Sequence, residues 1–208
     1  LDVLSEGRAV CGLGAAWFER EHAAYGWPFP DRGGRLALLE DALQALPVLW
    51  GPGAPAFHGQ VIDIAEAICY PRPLQERVPI LIGGSGEQRT LKLVARYGDA
   101  CNLMGGPDRV RHKLAVLADH CRAVDRPVTD IEVTHLSTAV VAPTGLDRLP
   151  AESPEALARR VKLATVADHI GRYRELAEAG VQTAIVSLGD LGEKGAVERF
   201  APVIEAFA

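Results

Sequence analysis

Five runs of small and apolar residues, each followed by an amphipathic stretch, constrain this chain more than any other feature. The runs are Arg8–Gly14, Val78–Ile82, Asp99–Leu103, Ile131–Ala142 and Val181–Ser187. Each is too apolar to keep one wet face, so each reads as a strand buried on both sides. Strands of that kind belong to a parallel sheet with helices packed on its faces. The intervening stretches supply the helices. In Arg35–Trp50, Leu36, Leu39, Leu43, Leu46 and Trp50 recur at steps of three and four, which buries one helical face. Pro47 is expected to bend or interrupt its last turn. Further helices are expected over Glu87–Tyr97, Asp108–Val124, near Pro154–Leu163, over Ala167–Ala179 and over Glu193–Phe207. Leu1–Gly7 reads as a helix end closed by Gly7. Ala56–Ile64 reads as a small hairpin turning around His58-Gly59, and Pro71 and Pro73 mark an extended connector. An eight-unit barrel needs about 250 residues. Five units therefore fit either an open doubly wound sheet or the back portion of a barrel, and periodicity alone does not separate the two.

The composition is that of one globular domain over residues 1–208, with 48% apolar and 24% charged residues. That length buries a sizeable core without a metal or a disulfide staple. The formal net charge is −5 and no basic run occurs. This argues against nucleic acid or an anionic membrane surface as a partner. No apolar stretch approaches the roughly 18 residues of a membrane span. Cys11, Cys69, Cys101 and Cys121 form no CxxC pair, a pattern that points to a reducing cytoplasm, with Cys11 and Cys101 as small core residues. The histidines lack metal-ligand spacing, so no metal site is expected. The chain begins at Leu1 and its only methionine is Met104; the expectation is that further chain precedes Leu1.

Two glycine clusters carry chemical information. Gly12-Leu13-Gly14 follows the first strand, but the third glycine of a dinucleotide fingerprint would fall on Trp17. The connector after it, rich in aromatics, is not expected to open as a helix, and the dinucleotide reading fails. What remains is a strand end that a flat ring or another backbone approaches closely, or plain core packing. Gly83-Gly84-Ser85-Gly86 lies between a buried strand and a helix expected from Glu87. There, free backbone N–H groups and a helix dipole converge, which suits a phosphate, the alternative being a tight strand–helix turn. It is neither a GxxxxGK loop nor a GxSxG elbow, since Glu87 stands at the last glycine position. Arg89 or Thr90, expected in the first helical turn, would add a charge or a hydroxyl. Trp17, Tyr25 and Phe29 either face a ring ligand or fold their own connector down. Glu21 and His22 are possible proton-transfer groups there, though an isolated loop histidine is more often structural. Asn102 ends the third strand in a position to meet a ligand.

The segment Arg8-Ala-Val-Cys-Gly-Leu-Gly-Ala-Ala-Trp-Phe-Glu-Arg-Glu-His22 resembles the luciferase-like monooxygenase family, and within it the coenzyme F420-dependent oxidoreductases. Pro71-Arg-Pro73, Pro79–Leu91, Ala95–Ala100, Arg111–Leu114 and Phe200-Ala-Pro202 follow in the family's order. The resemblance implies a (β/α)8 TIM barrel, here lacking roughly its first three βα units, with a deazaflavin, or FMN in some members, at the C-terminal mouth of the strands. By the same resemblance, Gly83, Gly84, Ser85 and Gly86 look like the cradle of the cofactor phosphate, and Gly14, Ala15, Ala16 and Trp17 like the strand end beside the ring. The implied chemistry is hydride transfer to or from an unknown small organic substrate. Ala15 stands where some sugar-phosphate dehydrogenases of the family carry an acid, so their proton chemistry does not transfer. Other readings are an FMN-dependent monooxygenase, or a non-catalytic barrel fragment that binds a phosphate-bearing ligand or a partner chain. The 56–64 hairpin and the acidic surface would suit a homodimer.

Overall fold

A computed structural model describes residues 1–142 and 161–208, and for residues 161 and 162 the backbone alone. The described residues divide into two compact units. The first comprises Leu1–Asn102 with Ala115–Glu132, and the second Leu103–Leu114 with Val133–Ala208.

In the first unit, Leu1–Gly7 forms successive turns rather than a regular helix. Gly7, at φ +81°, donates its N–H to the Asp2 carbonyl, so the expected glycine cap is present without a full helix before it. The buried Asp2 carboxylate accepts the backbone N–H groups of Leu74 (2.7 Å) and Gln75 (3.0 Å), which ties this segment to the connector after Pro73. Strand β1 (Cys11–Gly14) pairs in parallel with β4 (Ile80–Gly83), which pairs in parallel with β5 (Ala100–Leu103). The expectation that the first strand is buried on both faces fails. Val10 is 58% exposed and Gly12 is exposed too, because nothing in the unit covers that face. Cys101 is fully buried, whereas Cys11 is only half-buried.

Helix α1 (Glu19–Tyr25) is a short exposed turn of chain in the aromatic connector, where no helix was expected, and it ends at Gly26 in the left-handed conformation. Helix α2 (Arg32–Trp50) starts where Asp31 accepts the Gly34 N–H at 2.8 Å. It buries Leu36, Leu39 and Leu43. Pro47 removes one donor from the ladder, yet the helix continues through Trp50 and the Gly51 N–H still reaches the Pro47 carbonyl at 3.0 Å. The hairpin β2 (Phe57–His58) and β3 (Asp63–Ile64) is antiparallel as expected. Its turn centres on Gln60-Val61, two residues after the expected His58-Gly59, with the Gly59 N–H bonded to the Ile62 carbonyl. Helix α3 (Thr90–Tyr97) starts three residues after the expected position, because Glu87–Arg89 form a turn. Helix α4 spans Pro107–Arg122.

In the second unit, β6 (Glu132–Val141) takes two parallel partners, β7 (Val161–Ala164) along Thr138–Val141 and β8 (Thr183–Leu188) along Thr134–Ala139. Thr138 and Ala139 pair with both, so β7 and β8 lie on opposite edges of β6. Residues 161–163 are expected as the end of a helix, and their extended backbone corrects that. The rest of the expected 154–163 helix lies outside the described residues. Helix α5 (Val166–Glu178) opens with a reciprocal capping box between Thr165 and Asp168, and α6 (Ala196–Glu205) follows β8. Six parallel strands are thus described where five were expected. Among the described residues no helix is long and apolar enough to cross a membrane.

Candidate functional site

The parallel register brings the two glycine clusters together. Gly14 lies beside Gly83, and Gly83 beside Asn102, so the ends of β1, β4 and β5 stand side by side within the first unit. All three strands point the same way, which places these positions at one C-terminal rim, the end that carries ligands in parallel α/β folds. The β1 and β4 backbones lie close together here. A Cβ on Gly14 would stand 3.4 Å from the Gly83 carbonyl oxygen. Gly84 has φ +120°, a conformation L side chains rarely adopt, and its N–H donates to the Asn102 carbonyl at 3.4 Å.

Two carbonyls of the loop after β4 accept hydrogen bonds. The Leu91 N–H donates to the Gly86 carbonyl at 3.0 Å, and His120 Nε2 donates to the Glu87 carbonyl at 2.7 Å. Thr90 is buried in the first turn of α3, and its Oγ1 would lie 3.0 Å from a Cβ on Gly86. Arg89 is exposed at the cap position of that helix. A cation that sequence reading missed stands closer: Arg32 Nη2, at the start of α2, would lie 3.6 Å from the same Gly86 Cβ. A hydroxyl and a guanidinium beside a glycine turn are groups that can donate to an anion.

At the β1 end, Arg35 fixes the backbone. Its Nε donates to the Ala15 carbonyl at 3.1 Å, and its guanidinium lies 4.1 Å over the Phe29 ring. Ala16 has φ +55°, a left-handed alanine and a small store of strain beside the site. Trp17 is 77% exposed, in contact with Phe18 at 5.2 Å between ring centroids. It does not fold the connector down. A cavity of about 190 Å³ borders Gly14, Ala15, Ala16 and His22, smaller than the usual 300–1,000 Å³ of a ligand pocket. His22 Nδ1 donates to the Pro28 carbonyl at 3.0 Å and its ring packs edge-on to Phe29. The structure therefore gives His22 a positioning role in the connector. Tyr25 and Trp27 are exposed and tilted against each other at 5.0 Å.

The eight residues of the two clusters offer backbone amides, the Ser85 hydroxyl and the Trp17 ring, with no acid or base among them. Such a site binds and orients, and its reactive group must come with the ligand. The thiols do not supply one: burial pushes both Cys11 and Cys121 upward, which keeps them protonated at neutral pH. Among the described residues no cluster of His, Cys, Asp and Glu is arranged to hold a metal ion.

Fold and site together define a parallel α/β protein with a glycine-lined rim at the strand ends. The family model of the luciferase-like monooxygenases matches residues 1–185, and the chain belongs to that family. An uncharacterized protein of Mycobacterium tuberculosis is 32% identical over 99 residues, covering 48% of this chain and 34% of that protein. An F420-dependent glucose-6-phosphate dehydrogenase of Kineococcus radiotolerans is 33% identical over 99 residues, 48% of this chain and 28% of that enzyme. An FMNH2-dependent dimethylsulfone monooxygenase of Pseudomonas putida is 25% identical over 99 residues, 48% of this chain and 27% of that enzyme. The matched region thus spans about a third or less of these relatives' length. Among solved structures, an F420-dependent secondary alcohol dehydrogenase superposes with a TM-score of 0.81 at 18% identity, over 99% of this chain and 71% of its own. The fold is accordingly that of the luciferase-like TIM barrels.

Proposed function

We propose that this chain carries the cofactor-binding strand ends of an oxidoreductase that moves a hydride between coenzyme F420 and a small organic substrate. The observation that carries this reading is the register of Gly14, Gly83 and Asn102 with Arg32 beside Gly86. A cofactor with a phosphate next to a flat ring needs that combination. Gly83, Gly84, Ser85 and Gly86 would hold the phosphate, with Arg32 as counter-charge. Gly14, Ala15, Ala16 and Trp17 would line the ring. The cradle fits such a group sterically, because side chains on Gly84 or Gly86 would crowd the space above Thr90. When bound, the deazaflavin supplies a hydride-carrying carbon. The chain's own residues orient it, screen it from water and leave proton transfer to groups outside the two clusters.

FMN is the second reading, favoured by the Pseudomonas putida relative. Titration of the chain with F420 and with FMN, followed by fluorescence, separates the two. F420 should bind at least tenfold more tightly. Gly84→Asp, which adds bulk and a like charge, and Arg32→Ala, which leaves the fold intact at an exposed position, should each weaken F420. Tighter FMN binding would reverse the cofactor assignment. Unchanged F420 affinity in both variants would remove the cradle from it.

A further inference from the structure

The turn that joins β4 to α3 does not wind as its sequence predicts. A helix starting at Glu87 would pair the Leu91 N–H with the Glu87 carbonyl, four residues back. Instead the Leu91 N–H reaches five residues back, to the Gly86 carbonyl at 3.0 Å, and four-residue spacing is in place where Leu93 N–H meets the Arg89 carbonyl at 2.9 Å. Turns closed over five residues are rare, and single ones inside or beside an α-helix collect at functional sites.

The wide turn leaves the half-buried Glu87 carbonyl outside the ladder of α3, and a carbonyl in that position needs a donor. His120 supplies it, with Nε2 at 2.7 Å from the Glu87 oxygen. A carbonyl only accepts, so Nε2 carries the proton. The donor is itself held in place. His120 lies in the part of α4 that belongs to the first unit, where buried Leu117 before it and buried Cys121 after it fix the helix. From the chain just beyond, Arg126 Nη1 donates to the Ala95 carbonyl at 3.3 Å. One stretch of chain thus holds α3 near both its ends.

We propose that His120 is a positioning residue for the phosphate cradle: its bond to the Glu87 carbonyl keeps the turn wide and so sets Gly86 beside Thr90 and Arg32. This rests on the reading of Gly83–Gly86 as the cradle, whereas the hold of His120 on the turn is a property of the free chain. Without the His120 donor, the Leu91 N–H moves to the Glu87 carbonyl, the turn tightens by one residue, and Gly86 leaves its place. A ligand must then reopen the turn in order to bind, which raises Kd.

Two substitutions separate the donor from the bulk of the ring. His120→Leu fills the space without a donor, and His120→Gln keeps an N–H at similar reach. In a fluorescence titration with F420, His120→Leu should bind about tenfold more weakly, and His120→Gln should stay within about threefold of the unsubstituted chain. A purely packing role would give glutamine no advantage over leucine. The turn is read without cofactor, from NMR couplings across hydrogen bonds in the 15N,13C-labelled chain. The Leu91 amide should couple to the Gly86 carbonyl in the unsubstituted chain and in His120→Gln, and to the Glu87 carbonyl in His120→Leu. In the unsubstituted chain the His120 proton should sit on Nε2 and couple to the Glu87 carbonyl, a measurement that stands if either variant fails to fold. A proton on Nδ1 alone, a Leu91 amide still bonded to Gly86 in His120→Leu, or an F420 affinity unchanged by His120→Leu would each overturn the proposal. If the unsubstituted chain binds no F420, the cradle reading fails, and the couplings alone uphold or overturn the hold of His120 on the turn.

Discussion

Gly86→Ala tests the proposed cradle with a single methyl group. Gly86 is not in the left-handed region, so alanine strains no dihedral there. The new Cβ would stand 3.0 Å from Thr90 Oγ1 and 3.6 Å from Arg32 Nη2. Thr90 is 8% exposed, and its hydroxyl yields by leaving its rotamer, at about 0.5–1.5 kcal/mol. For a chain of this size that lowers the melting temperature by only about 1–6 °C. The effect on a phosphate ligand is larger, because the methyl occupies space between the loop amides and Arg32. Losing one charge-assisted hydrogen bond costs about 1.5–3 kcal/mol, or roughly ten- to a hundredfold in Kd. Fluorescence titration with F420, run beside a thermal melt, reads both quantities. Adding Thr90→Ala removes the clash and keeps the methyl, so the double variant should regain stability without regaining affinity. An unchanged Kd in Gly86→Ala with a normal melt would refute the cradle. Recovery of affinity in the double variant would assign the loss to the displaced hydroxyl instead.

Two further perturbations probe the frame that holds the site. Leu43 is 1% exposed on α2, and Leu43→Ala should cost about 2–5 kcal/mol, read from the urea midpoint; a loss below about 1 kcal/mol would mean the helix is not packed as described. Asp41, 4% exposed, accepts the Val61 and Ile62 N–H groups and so closes the hairpin turn. Burial pushes its carboxyl up, but the N–H groups of Ile62, Val61 and Gln60 outweigh this and hold it below its ordinary 3.8. A folded-state pKa below the unfolded one adds stability that is present above the unfolded value and lost as pH falls through the folded one. Asp41→Asn should therefore flatten the acid limb of urea midpoints measured from about pH 5 downward, and identical acid limbs in the two proteins would contradict this.

Most strands were legible because their signal is local: an unbroken apolar run bounded by glycine, proline or charge. The one that was missed, β7, is Val161-Lys162-Leu163-Ala164, four residues with no alternation, next to a stretch rich in helix formers. Its extended form depends on pairing with the C-terminal end of β6, a strand that takes β7 on one edge and β8 on the other. Pairing of that kind is tertiary and leaves no periodicity behind. Pro47 failed as a breaker for a related reason. Leu43 and Ala45 are buried just ahead of it, and the packing of that face outweighs one missing ladder bond.

The site divides along the same line. Glycines announce themselves in sequence because the conformations and approaches they allow are local, and the register of β1, β4 and β5 sets Gly14, Gly83 and Asn102 side by side as the fold class requires. The proposed counter-charge did not announce itself. Sequence reading looked for it in the first turn of α3, nearest in the chain, yet Arg89 is exposed at the cap position and Arg32 stands beside Gly86. That placement depends on Asp31 starting α2 where it does, after a connector whose path is pinned by Arg35 on the Ala15 and Pro30 carbonyls. A glycine turn supplies amides but cannot carry its own cation, since a side chain on it would fill the space the ligand needs. The cation must therefore arrive from another element, and which element supplies it is a property of the fold that the turn's own sequence does not contain.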